Sequence, residues 1–120
     1  MKRAALVLSA VAILAACGGG SGASQPAGSI KVTMNEYKFD PGTITAPHGK
    51  VVFFLVNTGT VSHDLVIHDS SGKTISSSEL VSAGDSHVFT VNSIDAGSYT
   101  FVCDQPGHEA SGMKGTVSIT

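Results

Sequence analysis

Basic residues are scarce in this chain: seven Lys and Arg stand against nine Asp and Glu in 120 residues. Two of the seven, Lys2 and Arg3, fall in a removable leader, which leaves five and a net charge near −4 with histidine neutral. That balance excludes nucleic acid as a partner, because phosphate binding needs a basic stripe or patch. Cysteine is limited to Cys17 and Cys103, too few for a disulfide framework. No apolar run is long enough to cross a bilayer as a mature helix. Helical periodicity is missing from residue 30 onward. Nothing marks an oxyanion hole, so a Cys–His hydrolase lacks its second requirement.

The N-terminus reads as a targeting segment. Lys2 and Arg3 precede residues 4–16, which are apolar apart from Ser9, and the run ends in Leu14-Ala15-Ala16. That is a secretory signal with a short apolar core. Leu14-Ala15-Ala16-Cys17 resembles the bacterial lipobox, which predicts a lipidated Cys17 at the mature N-terminus. Acyl chains contribute about 0.8 kcal/mol per buried methylene, so several on one cysteine hold a protein at a membrane. Residues 18–29, rich in Gly and Ser, read as a flexible tether with a typical reach of roughly 20 Å.

Residues 30–120 read as a single all-β domain. Ile30, Val32 and Met34 alternate with Lys31, Thr33 and Asn35, the pattern of a half-buried strand. Residues 51–56 are unbroken apolar, fit for a central strand buried on both faces. Phe39-Asp40-Pro41-Gly42, Ala83-Gly84-Asp85 and Asp95-Ala96-Gly97-Ser98 are turn signals. Residues 74–82 carry no clear pattern. Seven or eight short strands with Gly-rich turns predict a Greek-key antiparallel β-sandwich. Tyr99, at the start of a strand, fits a tyrosine corner whose hydroxyl bonds back to nearby backbone.

The chemistry concentrates near the C-terminus. Cys103, His108 and Met113 form a Cys-x4-His-x4-Met run, and His63 lies upstream at the start of a strand. One thiolate, two imidazoles and one thioether make the ligand set of a blue-copper site: two His and a Cys in a plane, with a weak axial Met. Thiolate and thioether suit Cu(I), and imidazole suits both oxidation states. Zinc is the rival metal, but it prefers carboxylate to thioether, with Asp64, Asp104 and Glu109 the nearby carboxylates. His48, His68 and His87 read as surface or strand-edge residues. Only Met34 and Met113 remain after the leader, which argues against an exchangeable Met/His cluster for copper delivery.

The chain resembles the cupredoxins, the plastocyanin/azurin family of small blue-copper proteins, across nearly all of residues 30–120. The resemblance rests on residues 51–57, His63, the run Asp95-Ala96-Gly97-Ser98-Tyr99-Thr100-Phe101-Val102-Cys103, Pro106-Gly107-His108 and Gly112-Met113-Lys114-Gly115. The ligand loop is longer than in plastocyanins and closer to azurin and the auracyanin-like bacterial members.

The resemblance implies one type 1 copper ion held by His63, Cys103 and His108 in plane, with Met113 axial. It implies that the edge of His108 is the electron port, inside an apolar patch for which Val61, Pro106, Ala110 and Gly112 are candidates. The residue after the first ligand commonly ties the two ligand loops together and is often Asn; here it is Asp64, which when ionised accepts but cannot donate. The backbone N–H of Asp64 remains able to bond the Cys103 sulfur. The expected protein is a monomeric, lipid-anchored electron carrier outside the cytoplasmic membrane, on its periplasmic or extracytoplasmic face. It would exchange single electrons with donor and acceptor redox proteins and transform no substrate.

Overall fold

Ile30–Asn35 (β1) buries Val32 and Met34 and turns Lys31 to solvent, as the two-residue repeat of a strand requires. The same logic produces eight further strands in the computed structural model, which describes residues 23–120. They are Lys38–Asp40 (β2), Thr43–Ala46 (β3), Gly49–Asn57 (β4), Val66–His68 (β5), Thr74–Ser77 (β6), Ser86–Ile94 (β7), Gly97–Val102 (β8) and Lys114–Ile119 (β9). The leader, Cys17 and the first part of the tether lie outside the described residues. Next to the domain, Ser86 Oγ donates to Ala23 O at 3.1 Å and Ser29 N to Pro26 O at 3.2 Å.

The strands form two sheets, ordered β2-β1-β4-β7 and β3-β9-β8-β5-β6. This is the expected sandwich, with nine strands rather than seven or eight. Two pairings, β1 with β4 and β3 with β9, are parallel; the others are antiparallel. The extra strands are short. Phe39 and Asp40, read as the start of a turn, end β2, and part of the unpatterned 74–82 segment forms β6. The chain changes sheets at Pro41-Gly42, between β2 and β3, as strands do at sandwich corners. His87 lies near the start of β7 and is half-buried.

Both inner faces meet in one apolar core that includes Val32, Met34, Phe39, Phe53, Leu55, Leu65, Ile67, Phe101 and Val117. Each such side chain contributes roughly 1.5–3 kcal/mol on full burial. Phe39 meets Phe101 edge-on across the sheets, with centroids 4.9 Å apart. In β4, Val51, Phe53 and Leu55 are buried while Val52 and Val56 are half-buried. Of the other face, only Phe54 is covered, so that strand is less enclosed than its apolar run suggests.

Tyr99 is the tyrosine corner: its hydroxyl donates to Asp95 O at 2.8 Å. Three connections meet at one pole of the sandwich: the β1–β2 turn with Glu36 and Tyr37, the β4–β5 loop with His63, and the β8–β9 loop with Cys103 and His108. His48 joins the C-terminal end of the chain instead, where its Nδ1 lies 2.9 Å from Thr120 O.

Candidate metal centre

The loop that follows β4 is built on a buried side chain. Asn57 Nδ2 donates to Val61 O at 2.8 Å and to Val81 O at 2.9 Å, while its Oδ1 accepts from Gly59 N at 2.9 Å. Three bonds from one side chain fix residues 57–61 and set the approach to His63. His63 then pairs with Val81 through both backbone groups, at 3.1 and 2.8 Å. Its side chain is wholly buried.

The second donor segment begins where β8 ends. Cys103 is buried, and its N donates to Met113 O at 3.2 Å. Met113 N in turn donates to His108 O at 3.1 Å, and His108 N to Gln105 O at 3.0 Å. Gly112, at φ +105°, makes the backward bend just before Met113 in a region that residues with a Cβ rarely adopt. The loop is thus closed on itself by backbone bonds, and Met113 is fully buried at its end.

These segments bring three donors face to face. His63 Nδ1 and His108 Nδ1 are 3.2 Å apart, and Cys103 Sγ lies 3.8 Å from the first and 3.3 Å from the second. Imidazole and thiolate bonds to a metal run about 2.0–2.3 Å, so a trigonal plane of them separates the donor atoms by roughly 3.5 Å. Two lone-pair-bearing nitrogens and a thiolate at these distances repel one another unless a proton or a cation lies among them. His63, Cys103 and His108 therefore form a potential copper site, and this group contains no carboxylate. The soft thiolate with two imidazoles fits copper in both of its oxidation states.

The groups around the donors are themselves bonded. Burial pushes the Cys103 thiol up, backbone N–H groups of Asp64 and Gln105 bonded to the sulfur pull it down, and the Asp64 charge pushes it up again. The side chain of Asp64 ties the two ligand loops as an acceptor only. Asp64 Oδ1 accepts from Asp104 N at 2.7 Å, and Oδ2 accepts from Gln105 Nε2 at 3.5 Å. The carboxylate joins the loops by receiving one backbone and one side-chain hydrogen, where an amide could also donate.

Three residues at this pole escape sequence reasoning. Asn57 had a legible signal, since Asn-x-Gly after a strand favours an Asx turn, but its contacts to Val61 and Val81 are tertiary. Glu36 offers no signal, being an acid in a turn 27 positions before the histidine it meets. Its Oε1 lies 2.9 Å from His63 Nε2. The His63 bond lowers the Glu36 carboxyl to about 2 against a desolvation that raises it, with the Thr60 and Val61 backbone N–H groups adding to the lowering. Tyr37 sets its ring edge-on to His108, with centroids 4.9 Å apart, and is 44% exposed. Val61 is 43% exposed, and Pro106, Ala110 and Gly112 are exposed as well.

A two-sheet β-sandwich with a His/Cys/His donor cluster at one pole defines the cupredoxin type of protein. The chain belongs to that family: the model of the cupredoxin-like domain matches residues 5–118. Among solved structures it is similar to auracyanin from Roseiflexus castenholzii, at 22% identity and a TM-score of 0.69 over 80% of this chain and 99% of that one. Auracyanin A from Chloroflexus aurantiacus is similar at 18% identity and 0.67, over 85% and 100%. Amicyanin from Paracoccus versutus is similar at 19% identity and 0.60, over 80% and 85%. At these identities the likeness establishes the fold. A curated relative, the copper-resistant cuproprotein CopI of Rubrivivax gelatinosus, is 30% identical over 108 residues. Those residues make up 76% of this chain and 66% of that protein, so the chain spans just under two thirds of the relative's length.

Proposed function

We propose that the protein is a type 1 copper electron carrier of the cell envelope, in which His63, Cys103, His108 and Met113 would hold the ion. The observation that carries this reading is the mutual approach of the three donor atoms, at 3.2, 3.3 and 3.8 Å, on backbone tied at both ends. Copper, when bound, supplies a one-electron Cu(II)/Cu(I) couple.

The chain's own residues do the rest. His63 and Cys103 sit in a dry, bonded setting that keeps their positions similar in both oxidation states, which limits reorganisation. His108 is half-buried and backed by the exposed Tyr37, which makes its ring the route for an electron to and from a docked donor or acceptor protein. The protein acts as a monomeric carrier rather than an enzyme.

The visible spectrum of the copper-loaded protein tests the assignment. An intense blue band that bleaches with dithionite and returns on oxidation is expected, and a colourless Cu(II) complex would overturn it. Copper resistance by binding or delivery is the second reading, favoured by the similarity to the copper-resistant cuproprotein CopI. It predicts weak colour and ready transfer of the metal to a chelator.

The sequence of the leader supports the location. Residues 1–16 act as a lipoprotein signal, and Cys17 carries the lipid that holds the domain at the outer side of the cytoplasmic membrane. Among the described residues, no helix is long and apolar enough to cross a membrane. Radiolabelled palmitate should enter the wild-type protein and not Cys17→Ala, which should leave the membrane fraction.

A further inference from the structure

We propose that Glu36 is a positioning residue of the metal centre. Its carboxylate, cradled by the β4–β5 loop, holds the proton of His63 on Nε2, so that Nδ1 is presented to the metal and the site favours the higher charge state. This deepens the copper reading, on which its redox part rests.

The carboxylate is held by more than one bond. Oε1 accepts from Thr60 N at 2.9 Å and from Val61 N at 3.2 Å, in addition to its contact with His63 Nε2 at 2.9 Å. Oε2 accepts from Thr60 Oγ1 at 3.3 Å. The space exists because residue 59 has no side chain: a Cβ there would collide with the Glu36 carboxylate. A turn from one sheet thus inserts an acid into the loop that carries the first ligand, and the loop is shaped to receive it. The Glu36 side chain is 26% exposed, whereas His63 is wholly buried.

The chemical consequence follows from what an ionised carboxylate can do. It only accepts, so His63 Nε2 must be the donor and carry the hydrogen. Nδ1 then bears the lone pair, and it is Nδ1 that faces Cys103 and His108. A carboxylate behind a ligand imidazole fixes the tautomer and ring orientation and raises ligand basicity. A more basic ligand with a negative charge behind it stabilises Cu(II) over Cu(I) and lowers the reduction potential.

Two measurements on the mature protein test this. In the metal-free protein, nitrogen-15 NMR should show His63 as the Nε2–H tautomer. Glu36→Ala should yield a mixture of tautomers. In the copper-loaded protein, Glu36→Gln keeps an acceptor for His63 and for the loop while removing the charge. The ratio of Cu(II) to Cu(I) affinity should fall about tenfold, which for a one-electron couple is a rise of about 59 mV. Gly59→Ala, which displaces the carboxylate without altering it, should shift both readouts in the same direction.

A role confined to tying the loop would leave the potential of Glu36→Gln and the tautomer in Glu36→Ala at their wild-type values, and that pair of results overturns the proposal. So does a His63 that carries its hydrogen on Nδ1 in the wild type. A wild-type protein that never turns blue defeats the electron-carrier reading, while the tautomer measurement still decides the role of Glu36.

Discussion

His63 and His48 both lie in a connection between two strands, yet the structure uses them in opposite ways. His48 Nδ1 lies 2.9 Å from Thr120 O, while the His48 backbone N donates to the same oxygen. That histidine fastens the residue that follows β9 to the β3–β4 turn. His63 is turned about. Its Nε2 is taken by Glu36, and its Nδ1 is left facing a second imidazole and a thiol. One nitrogen of His63 is thus satisfied by a fixed acceptor while the other is aimed at two further donor groups. Position between strands alone does not distinguish the two histidines.

The sharpest break of that contrast is removal of the thiolate. Cys103→Ser should abolish the blue band entirely, whereas His48→Ala should leave it unchanged; visible spectra of both copper-loaded variants check this. Next in size is Asn57→Ala. It deletes three hydrogen bonds around the His63 loop, each worth about 1 kcal/mol, and should cost roughly 3 kcal/mol in urea unfolding. Each kcal/mol corresponds to a fall in Tm of roughly 4–8 °C in a domain of this size.

A gentler change separates charge from connection at the same pole. Asp64→Asn retains an oxygen to accept from Asp104 N and removes the negative charge beside Cys103. Its reduction potential should rise by a few tens of mV, below the roughly 59 mV that a tenfold affinity ratio represents. Voltammetry that finds no rise would remove Asp64 from the electrostatics of the site.

The smallest expected effect lies away from the centre, in the β5–β6 turn. The Ser71 hydroxyl, then the backbone of Lys73, holds the Asp69 carboxyl below its ordinary value of 3.8. A lowered folded value means that this contribution is complete above about pH 3.8 and fades as the pH falls through the folded value. Asp69→Asn should therefore lose a little stability at neutral pH and converge on the wild type in acid, with no change in spectrum. Chemical denaturation at several pH values reads the difference.

Much of this architecture was legible in the chain. The alternation in β1, the turn before Tyr99, and the Cys103, His108 and Met113 run within one loop are local patterns, and local patterns survive without coordinates. Three donors of the expected set, His63, Cys103 and His108, converge as the resemblance implied. The three-residue β2 and the four-residue β6 were harder to read, because so few residues carry no measurable period. Parallel pairing of β1 with β4 and of β3 with β9 was invisible for a different reason: each joins segments whose connection passes through the other sheet. The acceptor tie at Asp64 shows a third limit. The residue type was read correctly as an acceptor, but the backbone proton it receives, from Asp104, lies 40 positions away.

The sequence by itself determined the donor chemistry, since thiolate, imidazole and thioether are properties of side chains whatever the fold does with them. It also determined which strands have an apolar face to bury. Only the tertiary structure decided how closely His63 and His108 approach the sulfur, and that Glu36 rather than a backbone carbonyl stands behind His63. Those outcomes depend on a few ångströms of approach between segments far apart in the chain, which are set by how two sheets pack over one core and not by any neighbour along the backbone.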